Sequence, residues 1–468
     1  MDNPFSRGLT ALDENRQPEV VDQSRLPGSK PLFSPRVGFN WNAVGDRATL
    51  VRGGTGIFTG RLPFVWVGNV ISNPGANPNL FPAAPPIETE RGSVLQQSFD
   101  VNAVTPNFKW PQSWTTDLAV EQNLPWALRG TLEVMYAKDL YAPYVRNADL
   151  VAPTRTLPDG RPYFGGFGAN ELNPDGGAGI YVMDNTNKGY SFNITAQLRK
   201  ALGTVGSVGL GYSYTAAKNN LKSTEIASVL WQNQPVKGDP NNPELSYSEF
   251  GQPHRIVGDA VYSKTWSPRF RTQLGAFLEV AQGNRFSSTS TNRYSFIYSG
   301  DVNGDGQGGN DLIYIPRSES DASLVDYTDA NNVVHTAAEQ WAAFDAFIRQ
   351  DSYLSKHRGE IAERFGGVNG WYSDLDLRIL QDIGLYSGAK RHTMQLSLDV
   401  LNVGNLLNSD WGVRKVASAS ATSPLRLAGF SAGGAPQFNF TGPTKTLIDD
   451  PGIASRWRIQ LGARYFFN

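Results

Sequence analysis

The chain has 468 residues, no cysteine, 48 glycines, 11% aromatic and 18% charged residues, and a net charge of -1. Charge sits well under the roughly 25% of soluble domains, while aromatic and glycine content is too high for a disordered chain, so a large β structure is favoured. The near-neutral balance supplies no basic surface for nucleic acid, and the missing cysteines exclude disulfides and thiolate metal sites.

No stretch reaches the roughly 18 apolar residues that a membrane-spanning helix needs, which excludes a helical membrane protein. Residues 1–35 carry Asp2, Arg7, Asp13, Glu14, Arg16, Glu19, Asp22 and Arg25 without an apolar core, so no signal peptide is expected among them. They are read as a polar extracellular loop segment ahead of a barrel portion at 36–468.

Strands are predicted at 36–43, 48–54, 114–123, 129–138, 189–200, 207–217, 253–264, 270–281, 374–384, 391–403 and 456–467. Their period is two. In the fourth, Leu132, Val134 and Tyr136 face away from Glu133; in the fifth, Tyr190, Phe192, Ile194, Ala196 and Leu198 alternate with Ser191, Asn193, Thr195, Gln197 and Arg199. In the ninth, Leu375, Leu377 and Ile379 oppose Asp374, Asp376 and Arg378. In the tenth, Met394, Leu396, Leu398 and Val400 oppose Thr393, Gln395, Ser397 and Asp399. The last sets Trp457, Ile459, Leu461, Ala463, Tyr465 and Phe467 against a face with Arg456, Arg458 and Arg464. A soluble sandwich or propeller also alternates, since one sheet face meets a core.

Connection lengths separate the two. Short links at 44–47, 124–128, 201–206, 265–269 and 385–390 alternate with long polar segments at 55–113, 139–188, 218–252, 282–373 and 404–455. Transmembrane β-barrels place tight turns on the periplasmic rim and long loops outside. Structureless loops beyond about 15 residues are uncommon in soluble domains. The expectation is therefore an all-β, antiparallel transmembrane barrel in a Gram-negative outer membrane. Trp41, Trp114, Trp126, Tyr136, Tyr190, Tyr212, Tyr262 and Trp457 suit interfacial girdles.

Single-chain bacterial barrels have even strand counts with both ends periplasmic. Eleven strands beginning outside fit the C-terminal half of a barrel of about 22 strands with a plugged lumen. This chain alone, with lipid-facing open edges, is expected to make no stable pore.

Residues 301–311 carry Asp301, Asn303, Asp305 and Gln307 at positions 1, 3, 5 and 7, with Gly306 at position 6. That spacing suits a calcium loop, with Asp311 standing in for the acid expected at position 12. Asp, Asn and Gly also crowd any exposed turn. In the same segment Trp341, Phe344, Phe347 and Ile348 recur at helical spacing over 337–350, as a ligand platform or, more simply, a helix packed on the barrel rim. Gln197, Arg199, Asp399, Arg456, Arg458 and Arg464 are expected to face the lumen, where plug or anion contact competes with plain hydration of a polar interior.

Catalysis finds little support. His254, His335, His357 and His392 form no HExxH pair, and no GxSxG elbow is present. Glu225, Glu244 and Glu249 share one loop, and a glycosidase needs only two acids roughly 5 to 10 Å apart, but acids in an external loop are usually just solvated.

Leu32-Phe33-Ser34-Pro35-Arg36-Val37-Gly38-Phe39-Asn40-Trp41, Arg52-Gly53-Gly54-Thr55-Gly56-Ile57-Phe58-Thr59-Gly60-Arg61 and Pro63-Phe64-Val65-Trp66 resemble the barrel of TonB-dependent outer-membrane receptors of the Oar-like group. Members carry a carboxypeptidase-regulatory-like N-terminal domain. Asn310-Asp311-Leu312-Ile313-Tyr314-Ile315-Pro316, the region from Gln350 to Asp374-Leu375-Asp376, and Asp399-Val400-Leu401-Asn402-Val403-Gly404-Asn405 extend the likeness. The resemblance implies uptake of an iron chelate, cobalamin, oligosaccharide or peptide, energised by the TonB complex acting on a plug, and no enzymatic step. It also implies that Phe467 is the aromatic read by the barrel-assembly machinery, although Asn468 follows it. Two other readings stay open: a passive porin or adhesin, and a soluble calcium-bound protein that binds carbohydrate.

Overall fold

The structure is a computed structural model describing residues 9–21, 27–45, 48–72, 87–88, 94–95, 100–172, 179–220, 227–285, 294–387 and 390–467. Eleven long strands form one antiparallel meander: β1 (Arg36–Asn42), β2 (Thr49–Thr59), β3 (Gln112–Leu124), β4 (Leu128–Asn147), β5 (Tyr190–Ala201), β6 (Gly206–Asn219), β7 (His254–Ser267), β8 (Phe270–Gln282), β9 (Trp371–Ser387), β10 (Lys390–Leu401) and β11 (Arg458–Phe466). Each pairs with its neighbours in sequence, and β1 and β11 are the two edges of this path. The sheet is not closed.

Register turns the sequence alternation into two opposed surfaces. Trp41, Val51, Val120, Leu132, Ala196, Tyr212, Ile256 and Val280 lie directly beside one another across eight strands. Lower on the same face, Tyr262, Leu274, Ile379, Leu398 and Leu461 form a second row. These side chains are not a core. Leu118, Leu132, Leu210, Leu274 and Ile379 stand 42–52% exposed, and Leu461 77%. Soluble monomers rarely leave contiguous apolar patches beyond a few hundred Å² open to water, so this face is built for an apolar medium.

Aromatic rings mark both ends of the apolar band. Near the long connections, Trp114 meets Tyr136 edge-on at 6.2 Å, Tyr136 stacks on Tyr190, and His254 lies against Tyr214 at 5.1 Å and Trp371 at 5.9 Å. Near the short turns sit Trp126, Tyr262, Trp266 and the Tyr465–Phe467 pair at 4.7 Å. His254 and Trp266 share β7, about 40 Å apart along an extended strand. At a tilt near 40° that gives about 30 Å of height, the thickness of a bilayer's hydrocarbon. His254 thus belongs to the ring belt, its Nδ1 2.8 Å from the Tyr212 hydroxyl.

Several expected boundaries move. β4 runs to Asn147, nine residues past the predicted end, because residues 142–147 pair with a strand at Ile180–Thr186, which also pairs in parallel with Val101–Val104. β11 begins at Arg458 instead of 456, since Ile453–Ser455 is a 3-10 turn. The opening segment is not a plain polar loop. Leu9–Leu12 and Pro18–Val21 form a hairpin with Ala11 and Val21 buried. Arg146 ties it down, donating to the Leu12 carbonyl and to Glu19 at 2.5 Å.

Candidate functional site

The second surface of the sheet is polar, and five ion pairs bridge its strands. Arg52 reaches Glu133 at 3.3 Å, Arg129 reaches Glu121 at 2.9 Å, Arg199 reaches Asp259 at 3.4 Å, Arg255 reaches Glu279 at 2.6 Å, and Arg378 grips Asp399. Two of these pairs skip a strand. Ala119 lies between Arg52 and Glu133, and Gly209 between Arg199 and Asp259. A Cβ on Gly209 would stand 2.5 Å from the Asp259 carboxylate, so the missing side chain makes room for the bridge.

Expected polar-face residues divide accordingly. Gln197 and Arg199 share that face of β5; Asp399, Arg458 and Arg464 occupy it on β10 and β11. Arg456 is the exception. It follows the 3-10 turn and donates to the Ser455 carbonyl, because the chain has not yet entered the strand. Phe467 lies just past β11, 80% exposed at the short-turn end.

The long connections carry the molecule's cores. One cluster draws Leu157 from residues 139–188, Phe296, Ile313, Phe344, Phe347 and Leu354 from 282–373, and Leu425, Phe438 and Phe440 from 404–455. A second joins Leu62, and Trp66 on the following helix α1 (Phe64–Ser72), with Phe164, Tyr181 and Met183, and with Leu230 and Trp231 on helix α2 (Ala227–Gln232). The segments read as structureless loops therefore condense into one folded layer at a single end of the sheet. Parts of 55–113 and Glu225 lie outside the described residues.

Helix α3 (Ala337–Gln350) occupies its predicted span, but packs inside this layer rather than on the rim: Phe344 and Phe347 meet Phe440 at 5.2 and 5.8 Å. Its start is a capping box, with Thr336 Oγ1 accepting from the Glu339 amide and Glu339 accepting from the Thr336 amide. The Thr336 amide and the Thr336 hydroxyl both donate to Glu339 Oε2, at 3.0 Å each, and hold the Glu339 carboxyl below its usual range. Thr336→Ala should loosen the first turn by about 1 kcal/mol, read as faster hydrogen exchange at residues 338–340. A depressed carboxyl stabilises the fold above its ordinary pKa and loses that contribution as pH falls through the lowered value. The same amides should therefore lose protection below about pH 4, where carboxylates take up protons.

At the junction of three connections lies residues 301–311. Phe164 donates to the Asn303 carbonyl, Val236 to that of Asn310, and Asn303 Nδ2 to Gly238. Within the loop, Asp301 accepts from the amides of Gly304, Asp305 and Gly306, Asn303 from Asp305, and Asp305 from Gln307. Gly304 and Gly306 take φ of 73° and 90°, the left-handed region glycine enters freely. Asp305 and Asn310 are buried, and their side chains touch at 2.7 Å.

Asp311 does not stand in for a terminal calcium ligand. One of its oxygens caps the amides of Val302 and Asn303, and the other faces the Arg161 guanidinium at 3.2 Å. Burial pushes the Asp311 carboxyl up to about 6, with Arg161 pulling it down. Burial also works against the Arg161 charge, but Asp159 at 2.7 Å and Asp311 outweigh it and leave that pKa raised. Sequence reasoning missed Arg161, since Asp159-Gly160-Arg161 reads as an ordinary turn.

Two further buried arginines fasten the layer to the sheet. Arg364 donates to the carbonyls of Asn219 and Asn220 at the end of β6, and burial lowers it to about 10. Arg285 donates to the carbonyls of Phe365 and Gly366 while lying 3.8 Å from the Tyr247 ring centre. Beside it opens a cleft of about 320 Å³ lined by Tyr214, His254, Tyr353, Lys356 and His357. Tyr214 and His254 belong to the apolar face, which places this cleft outside the polar wall.

A family model described as outer membrane beta barrel domain matches residues 7–423. No curated protein matches the chain. Among solved structures, the outer membrane transporter YddB from Escherichia coli is similar over 92% of this chain and 40% of its own, at 11% identity and a TM-score of 0.41. A ferric enterobactin receptor mutant from Pseudomonas aeruginosa, in complex with enterobactin, is similar over 92% and 40%, at 9% identity and 0.40. The FrpB iron transporter from Neisseria meningitidis follows at 92% and 39%, 9% and 0.35. The chain spans about two fifths of the length of these structures.

Proposed function

The chain belongs to the outer membrane beta barrel domain family and is an integral outer-membrane protein, and from that premise we propose that it forms part of the wall and the outer loop layer of a TonB-dependent transporter. The observation that carries this reading is the pairing of an apolar outward face with a polar, charge-paired inward face beneath a folded roof. The roof is where an external ligand would first be held, and the polar wall is where it would pass. A small molecule, an oligosaccharide or a peptide suits such a passage, and the activity proposed is transport rather than catalysis.

The open sheet supports a second part of the proposal. Among the described residues β1 and β11 are the edges of the sheet path, and an edge facing hydrocarbon needs a strand to pair with, so we read this sheet as one part of a larger cylinder. We assign those strands, together with a plug and the segment that engages TonB, to a longer receptor of Oar-like type. Family membership sets aside the soluble carbohydrate-binding reading. Lipid and the barrel-assembly machinery are the partners expected during insertion, the latter at Phe467.

Planar-bilayer conductance tests the transport reading. The full-length receptor should conduct little when alone and bind the periplasmic domain of TonB. Steady ohmic conductance with no TonB binding would replace the plugged transporter by a passive porin. The present chain alone should give no steady pore.

A further inference from the structure

We propose that residues 301–311 form a divalent-cation site of calcium type whose side-chain oxygens come from Asp301, Asn303, Asp305 and Asn310. The inference is independent of what the barrel transports. It begins with charge. Four carboxylates, Asp159, Asp301, Asp305 and Asp311, share one neighbourhood with the Arg161 guanidinium, which is already bonded to Asp159 and Asp311. Asp305 is 2% exposed and is left with amide donors alone, from Asn303, Gln307 and Asn310. A buried carboxylate that meets amide donors and no cationic side chain is costly to keep charged.

The second observation is a separate atom. Asn310 is fully buried, its amide nitrogen sits 2.7 Å from Asp305, and its side-chain oxygen has no hydrogen-bond partner. An acceptor in that position, without a donor, costs free energy that a bound cation removes. Asn170, also buried, presents a second unpartnered side-chain oxygen, and its amide nitrogen lies against the Gly306 backbone. The exposed backbone at Gly306 and Gly308 gives an ion its route in from solvent.

Donor chemistry selects the metal. Among the described residues no group of three His, Cys, Asp or Glu could hold a metal ion. The set proposed here is two carboxylates and two amides, all oxygen, on an irregular loop. Calcium accepts such hard and flexible coordination and completes six to eight ligands with carbonyls and water, whereas zinc prefers nitrogen and sulfur. Because the loop joins the connections at 139–188, 218–252 and 282–373, the ion would set the order of the whole roof.

Terbium and calcium titrations of the detergent-purified full-length protein test this, with emission sensitised by Tyr163, which packs against Gly304 and, in parallel, the rate of loop proteolysis. Calcium should displace terbium, and a chelator should speed cleavage in the roof at least 10-fold while the strands stay intact. Asn310→Ala should weaken calcium binding at least 10-fold. Asp305→Asn should abolish the calcium response yet resist protease better than the wild type in chelator, since the buried charge is gone. Proteolysis indifferent to calcium, or an unchanged calcium response in Asn310→Ala, would overturn the proposal. Should Asp305→Asn fail to fold, Asn310→Ala and the wild-type titration decide the matter.

Discussion

Arg161→Met is expected to destabilise the loop layer by about 3–5 kcal/mol, the range for breaking a buried ion pair from one side. The guanidinium is buried, pairs with Asp159 and Asp311, and donates to the Leu312 carbonyl at 2.7 Å. Its removal strands the fully buried Asp311 carboxylate, leaves the part-exposed Asp159 without its partner, and loosens the acceptor of the Val302 and Asn303 amides. Native-state hydrogen exchange should show the loss at Val302, Asn303 and Tyr298, with the strand amides unchanged. Arg161→Lys should not rescue, because a single ammonium cannot serve both carboxylates and a carbonyl in the geometry of a planar fork. Adding Asp311→Asn to Arg161→Met should recover part of the loss. A change within about 0.5 kcal/mol, typical of surface positions, would mean that the pair does not hold the roof.

Ile379→Lys on β9 is expected to cost about 2–4 kcal/mol, the price of a lysine near the bilayer midplane. Ile379 lies between Leu274 and Leu398 in the middle of the apolar face, 42% exposed. Gln197→Lys introduces the same charge on the opposite face of β5 and should change stability little. Urea titrations of the full-length protein refolded into phospholipid vesicles give both numbers. Equal costs at the two sites would contradict the assignment of lipid to one face and water to the other.

The strands were legible because two solvents write a strict alternation into them: each of the eleven predicted segments overlaps an observed strand. The failures are local and physical. Residues 142–147 of β4 leave the bilayer zone and enter the loop layer, where Val145, Arg146 and Asn147 are all buried and alternation ends, and Pro143 imitates a strand end. The parity of Arg456 fits β11, although the chain is still turning there. Helix α3 was legible from its 3.6 period, and the Thr336–Glu339 box could have fixed its first residue.

The roof was not legible, and the reason is general to cores assembled from distant pieces. Leu157, Phe296 and Phe438 meet in one cluster yet come from three separate connections, so no window of sequence contains the pattern. Asp311 shows the same limit at one residue. Its place one residue short of the acidic position of a calcium loop points to a metal ligand, while its partner Arg161 lies 150 residues away.

That arrangement governs the order of events during biogenesis. Bringing Leu157 and Phe438 into one cluster closes a very long stretch of chain, and such non-local contacts are slow to find because their entropy must be surrendered first. Consecutive hairpins of the meander require only short closures. The strands should therefore register one after another, with the roof assembling last. Until that step is complete, a nascent molecule would carry Phe296, Phe344 and Phe440 uncovered on its outer end, a window in which chaperones or proteases could act.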